Sequence, residues 1–110
     1  MQMPACRITV IKRCLNRDII DAYVAPAAAA HTRCSRFALG DSFITVAPYE
    51  MPQGFCHWAW ADIRRDILAI CGNAGFPWYR EPHMTIAGCT DWFRPVLFKL
   101  ERAVPPPEAP

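Results

Sequence analysis

The run Gly54-Phe55-Cys56-His57-Trp58-Ala59-Trp60-Ala61-Asp62-Ile63 sets a thiol, an imidazole, two indoles and a carboxylate at what reads as the head of a helix. A helix N-terminus carries partial positive charge and free N–H groups, so it favours anions, a thiolate among them, and Cys56 is well placed to use it. Helical spacing puts Cys56 and Trp60 on the buried side and sets Trp58 beside Asp62, four positions on. The plainer reading is packing, with Trp60 in the core, Trp58 over an edge, and Asp62 in a solvated ion pair with Arg65 or Arg94.

A second group, Cys89-Thr90-Asp91-Trp92-Phe93-Arg94-Pro95, follows a strand-like run and offers thiol, acid and cation within a few positions. Thr90 and Asp91 also suit turns, where short polar side chains accept from backbone N–H groups. The six cysteines form no C-x-x-C pair and no short Cys/His cluster, so zinc-finger and thioredoxin-type motifs are absent. That leaves packed thiols, metal ligands gathered by the fold, or a reactive thiolate.

The elements that must position these groups belong to one domain, because 110 residues fit a single core. The start, MQMPACRITV, lacks the pattern of a signal peptide, which makes a cytoplasmic location the expectation and argues against three disulfides. No apolar run approaches the ~20 residues that span a bilayer. A formal net charge of +2 without a dense basic stripe argues against nucleic acid.

Alternation from Arg7 to Cys14 predicts a strand with Ile8 and Val10 on one side and Arg7, Thr9 and Arg13 on the other. Asn16 to Tyr23 predicts a short helix with Asn16 as N-cap, Gly40-Asp41 a turn, and Ser42 to Val46 a second strand. Ala25 to Arg36 and Pro48 to Gly54 read as loops. Cys56, Ala59, Trp60, Ile63, Ile67, Ile70 and Cys71 recur at helical steps, which predicts a long helix of about four turns closed by a left-handed Gly72. Gly72 to Pro82 reads as a structured loop with an aromatic anchor. Met84 to Cys89 and Val96 to Glu101 predict an antiparallel hairpin, and 104–110, VPPPEAP, a disordered tail. The expected fold is α+β: one compact domain over 1–103, order β-α-β-α-β-β, with a mainly antiparallel sheet packed on the long helix.

GFCHWAWADI, FPW and CTDWFRPVLFKLER, taken together, resemble a family of small microbial proteins, sometimes tandemly repeated, without an assigned activity. Its pattern reads G-F-C-x-W-A-W-x-D-I, F-P-W, C-T-D-G-x-R-P-V-x-F-K-x-E-R, preceded by an I-T-V-I-K strand and a C-x-x-F-x-x-G-D-x-F element. The pattern falls on Cys34, Phe37, Cys56, Trp58, Trp60, Asp62, Trp78, Cys89, Thr90, Asp91 and Arg94, among others. Trp92 replaces its glycine, and Gly88 stands where a second cysteine often sits. Cys6, Cys14 and Cys71 lie outside it and are assigned to packing or chance.

Three functions compete. The first is a metal–thiolate centre for zinc, iron or copper, in which Cys34, Cys56 and Cys89, with His57 or Asp91, converge from distant segments. The second is a metal-free small-molecule enzyme. Asp91 or Asp62 would supply acid/base chemistry, Cys56 or Cys89 a thiolate, Arg94 the anchor for a substrate anion, and Trp58, Trp78 and Trp92 the walls. The third is a binding or interaction module, which would include a homodimer. His31 and His83 read as surface residues.

Overall fold

The computed structural model describes residues 4–28, 31–45, 50–72 and 75–103. Val46 and the expected tail at 104–110 lie outside the described residues. Strand β1 runs Ala5–Arg13, helix α1 Arg17–Tyr23, strand β2 Ser42–Ile44, helix α2 His57–Cys71, strand β3 Met84–Gly88 and strand β4 Val96–Ala103; a single 3-10 turn, Pro26–Ala28, follows α1. All pairings are antiparallel, in the order β2-β1-β4-β3, so the fold is α+β as expected. Among the described residues no helix is long and apolar enough to cross a membrane.

Helix α2 covers one face of the sheet. Its Ala59, Ile63, Ile67 and Cys71 pack on Cys6, Ile8 and Val10 of β1 and on Val96, Phe98 and Leu100 of β4. Removing each of these larger aliphatic chains from water is worth about 1.5–3 kcal/mol. The helix has 15 residues, an ordinary length rather than a long one. Gly72 closes it without turning left-handed: its φ is −84°, and its N–H donates to the Leu68 carbonyl at 2.8 Å. The expected left-handed closure is therefore absent. The positive φ angles fall instead at Gly40 (+88°) and Gly54 (+82°), in the turns that lead into β2 and α2, where a side chain would be strained.

Beside α2 the core is aromatic. Phe55 stands with its ring centre 5.0 Å from those of Phe37 and Phe43, 5.6 Å from Phe98 and 6.3 Å from Trp60. Tilted and edge-on rings at these distances add to the burial of their area.

A bulge interrupts β1. Val10 pairs with Phe98 and Lys12 with Leu97, leaving Ile11 unpaired. The extra residue resets the alternation, so Arg13 pairs with Val96 on the inner side rather than joining Arg7 and Thr9 as expected. From there its guanidinium donates to the Cys34 carbonyl at 3.0 Å. Asn16 also departs from expectation: its side chain makes no cap bond, and its amide nitrogen donates to the Trp92 carbonyl at 2.6 Å.

Cys6 is fully buried, and a hydrogen bond with Cys71, together with burial, pushes its thiol up. Both thiols belong to the packed core.

Candidate functional site

The segment between β3 and β4 is fixed from three sides. Thr90 docks onto α2: its N–H donates to Asp62 Oδ2 at 2.7 Å and its hydroxyl to the same oxygen at 3.0 Å. The Trp58 indole N–H, one turn earlier on α2, donates to Thr90 Oγ1 at 2.8 Å. From the connection between β1 and α1, the Asn16 N–H reaches the Phe93 carbonyl and the Cys14 N–H the Pro95 carbonyl, both at 2.8 Å. Within the segment, Asp91 Oδ1 accepts from the N–H groups of Phe93 and Arg94 at 3.2 Å, and Oδ2 from Arg94 Nε at 3.3 Å.

These restraints frame an open cavity of about 410 Å³. Buried Phe37, Ala59 and Val96 form its floor. Three half-buried cysteines line it from separate segments: Cys34 from the loop after α1, Cys56 from the N-cap of α2, and Cys89 from the end of β3. Trp58 and Trp92, 66% and 68% exposed, stand at the rim with Arg36 and Arg94. The remaining walls are Thr90, Asp91 and Phe93.

The nominated residues thus divide. Cys34, Cys56, Cys89, Trp58, Trp92, Asp91 and Arg94 line one cavity. Asp62 does not line it; the expected ion pair with Arg65 or Arg94 is replaced by the hydrogen bonds from Thr90. His57 is exposed and outside the lining. Trp78 is also elsewhere: 71% exposed, it stacks on Phe76 with ring centres 5.2 Å apart in the loop before β3. In that loop Tyr79 accepts hydrogen bonds at 3.1 Å from the Thr85 hydroxyl and the Ile86 N–H, which hold its phenol below the ordinary range.

Neither carboxylate nominated for acid/base work is free: Asp62 is committed to Thr90, Asp91 to its own turn and Arg94. Among the described residues, no three histidine, cysteine, aspartate or glutamate side chains form a group able to hold a metal ion.

Arg36 was missed from the sequence, and Phe37 was named there only as part of the resembled pattern, with no role in a site. They sit in a stretch without period, and the signal was one aromatic ring after a polar run, Cys34-Ser35-Arg36-Phe37. The Arg36 side chain is exposed, with no hydrogen bond or ion pair among the described residues. His31, expected at the surface, is half-buried with its ring 6.0 Å from that of Phe93.

The two departures from the resembled pattern have different consequences. Trp92 forms part of the cavity rim. Gly88 pairs with Leu97, on the sheet face opposite Phe98, so a second cysteine there would point away from the cavity. Its Cβ would meet Leu97 Cδ2 at 2.8 Å.

Compared with family models, curated proteins and solved structures, the chain matches none.

Proposed function

We propose that the chain binds a small, largely apolar molecule carrying an acidic group. The carrying observation is the cavity itself, about 410 Å³, with an aromatic and aliphatic floor and two arginines at its rim. That volume lies within the ~300–1,000 Å³ common for small-molecule sites, which are mostly apolar with a few polar groups that fix orientation. Arg94 is partly neutralised by Asp91, so Arg36 is the stronger candidate to receive the anion. The indoles of Trp58 and Trp92 would close over the bound molecule.

Binding is better supported than acid/base catalysis, because Asp62 and Asp91 already hold the site together. It is better supported than a metal–thiolate centre, for want of a three-ligand group among the described residues.

Calorimetric titration with a series of aromatic carboxylates and their neutral amides tests the reading. Carboxylates should bind with one-to-one stoichiometry and lose about tenfold in affinity in Arg36→Ala, the size of one charge-assisted hydrogen bond. Equal binding of acid and amide, or none by either, would overturn it.

A further inference from the structure

Three thiols in a cavity of this kind exceed what packing or anion recognition needs. Cys34, Cys56 and Cys89 come from separate segments, yet all line the same space as Arg36 and the two rim indoles. A binding site for an inert apolar acid would be served by alanine, valine or leucine at these positions. What thiols add is nucleophilicity, since the thiolate is the reactive form of cysteine.

The three are not equivalent. Cys89 Sγ accepts the Val96 N–H at 3.3 Å, a bond that ties it to β4. Cys34 lies in a loop anchored through its carbonyl by Arg13. Cys56 stands at the N-cap of the 15-residue helix α2, and its side chain makes no capping hydrogen bond. Cys56 is also one of the residues that line the cavity, beside first-turn N–H groups that favour negative charge.

We propose that the ligands of this cavity include α,β-unsaturated carbonyl compounds bearing a carboxylate, and that Cys56 captures them by conjugate addition. This rests on the reading of the cavity as a site for apolar acids. Arg36 holds the carboxylate while the Cys56 sulfur bonds to the alkene carbon β to the carbonyl. The π pair moves onto the carbonyl oxygen as an enolate, and the proton released by the thiol returns through solvent to the α carbon. One S–C bond and one C–H bond form, the S–H bond and the alkene π bond are lost, nothing leaves and no oxidant is consumed. The product is a thioether within the cavity.

The experiment uses the whole chain with benzoylacrylate as probe, its methyl ester as neutral control, and saturated benzoylpropionate as unreactive control. Intact mass spectrometry follows addition, and peptide mapping of the unmutated protein locates it. The expected result is a single adduct on Cys56, formed more slowly when benzoylpropionate competes. Arg36→Ala should slow the acid about tenfold and leave the ester unchanged, the ratio expected from one charge-assisted contact. A Cys56→Ser chain that keeps its circular dichroism should form no adduct.

An adduct on Cys34, on Cys89 or spread over all cysteines would overturn the assignment, whether or not Cys56→Ser folds. Binding of benzoylpropionate without any adduct from benzoylacrylate would overturn the covalent step and leave apolar-acid binding standing. Addition at equal rates for acid and ester, with no competition by benzoylpropionate, would overturn both.

Discussion

Thr90 and Asp62, 28 positions apart, are joined by a 2.7 Å bond from the Thr90 N–H to Asp62 Oδ2 and a 3.0 Å bond from its hydroxyl to the same oxygen. This pair holds the segment after β3 against the head of α2, and the cavity lies between those two elements. Charge-assisted hydrogen bonds of this type contribute about 1.5–3 kcal/mol. Asp62→Ala should lower stability by about that amount in chemical denaturation. Thr90→Ser should be close to neutral and Thr90→Val costly, since only the hydroxyl differs in its bonding. Equal losses in the Ser and Val variants would show that the methyl group, rather than the bond to Asp62, matters at Thr90.

The cysteines should separate by reactivity. Cys6 and Cys71 are buried in the core, whereas Cys34, Cys56 and Cys89 are half-buried around the cavity. Timed alkylation of the native protein should label the cavity thiols well before the core pair. Early labelling of Cys6 would contradict the packing between β1 and α2.

Tyr79 gives a pH signature remote from the cavity. The Thr85 hydroxyl and then the Ile86 N–H lower its pKa, so the folded chain favours the phenolate. The stability gained is present above the unfolded-chain value of about 10 and is lost as pH falls through the lower folded value. Ultraviolet absorbance titration should show one tyrosine ionising early, and Thr85→Val should move it back up. A titration curve left unmoved by Thr85→Val would contradict the hydrogen bonds.

Trp78 and Trp92 are almost equally exposed and have opposite expected roles. Trp92→Ala should weaken binding of an aromatic acid by about 1 kcal/mol or more, as loss of a buried aromatic contact does. Trp78→Ala, outside the cavity, should leave affinity unchanged. Calorimetry on both variants checks this, and the reverse order would move the site to the loop before β3.

Much of this architecture was legible in the chain because it follows from local periodicity. The steps from Ala59 to Cys71 define α2, and Val96, Phe98 and Leu100 define the inner face of β4. Strand order and the bulge at Ile11 were not legible, since both depend on which strands meet. The bulge alone moves Arg13 to the inner side and lets it anchor the Cys34 loop.

The site divides in the same way. Cys56 and Trp58, with the segment from Cys89 to Arg94, could be picked out because unusual residue types crowd a helix head and a strand end. The roles of the carboxylates were hidden. Whether Asp62 faces a ligand or a threonine is set by tertiary contact alone, and its partner lies on another element. Trp78 was nominated by residue type, but its ring stacks on Phe76, two positions away in its own loop. Arg36 at the rim and the buried Phe37 were hidden as site residues for the converse reason, since nothing local marks which loop residues the fold brings to a cavity.

The central claim, that an apolar acid occupies the space between the α2 head and the segment after β3, is tested most directly by nitrogen–proton correlation spectra. The ¹⁵N-labelled chain would be titrated with phenylpropionate. The account predicts saturable shifts confined to Ala59, Thr90, Phe93 and the indole N–H signals of Trp58 and Trp92, with that of Trp78 unmoved. Shifts centred on Trp78 and Tyr79, or none at saturating ligand, would contradict it.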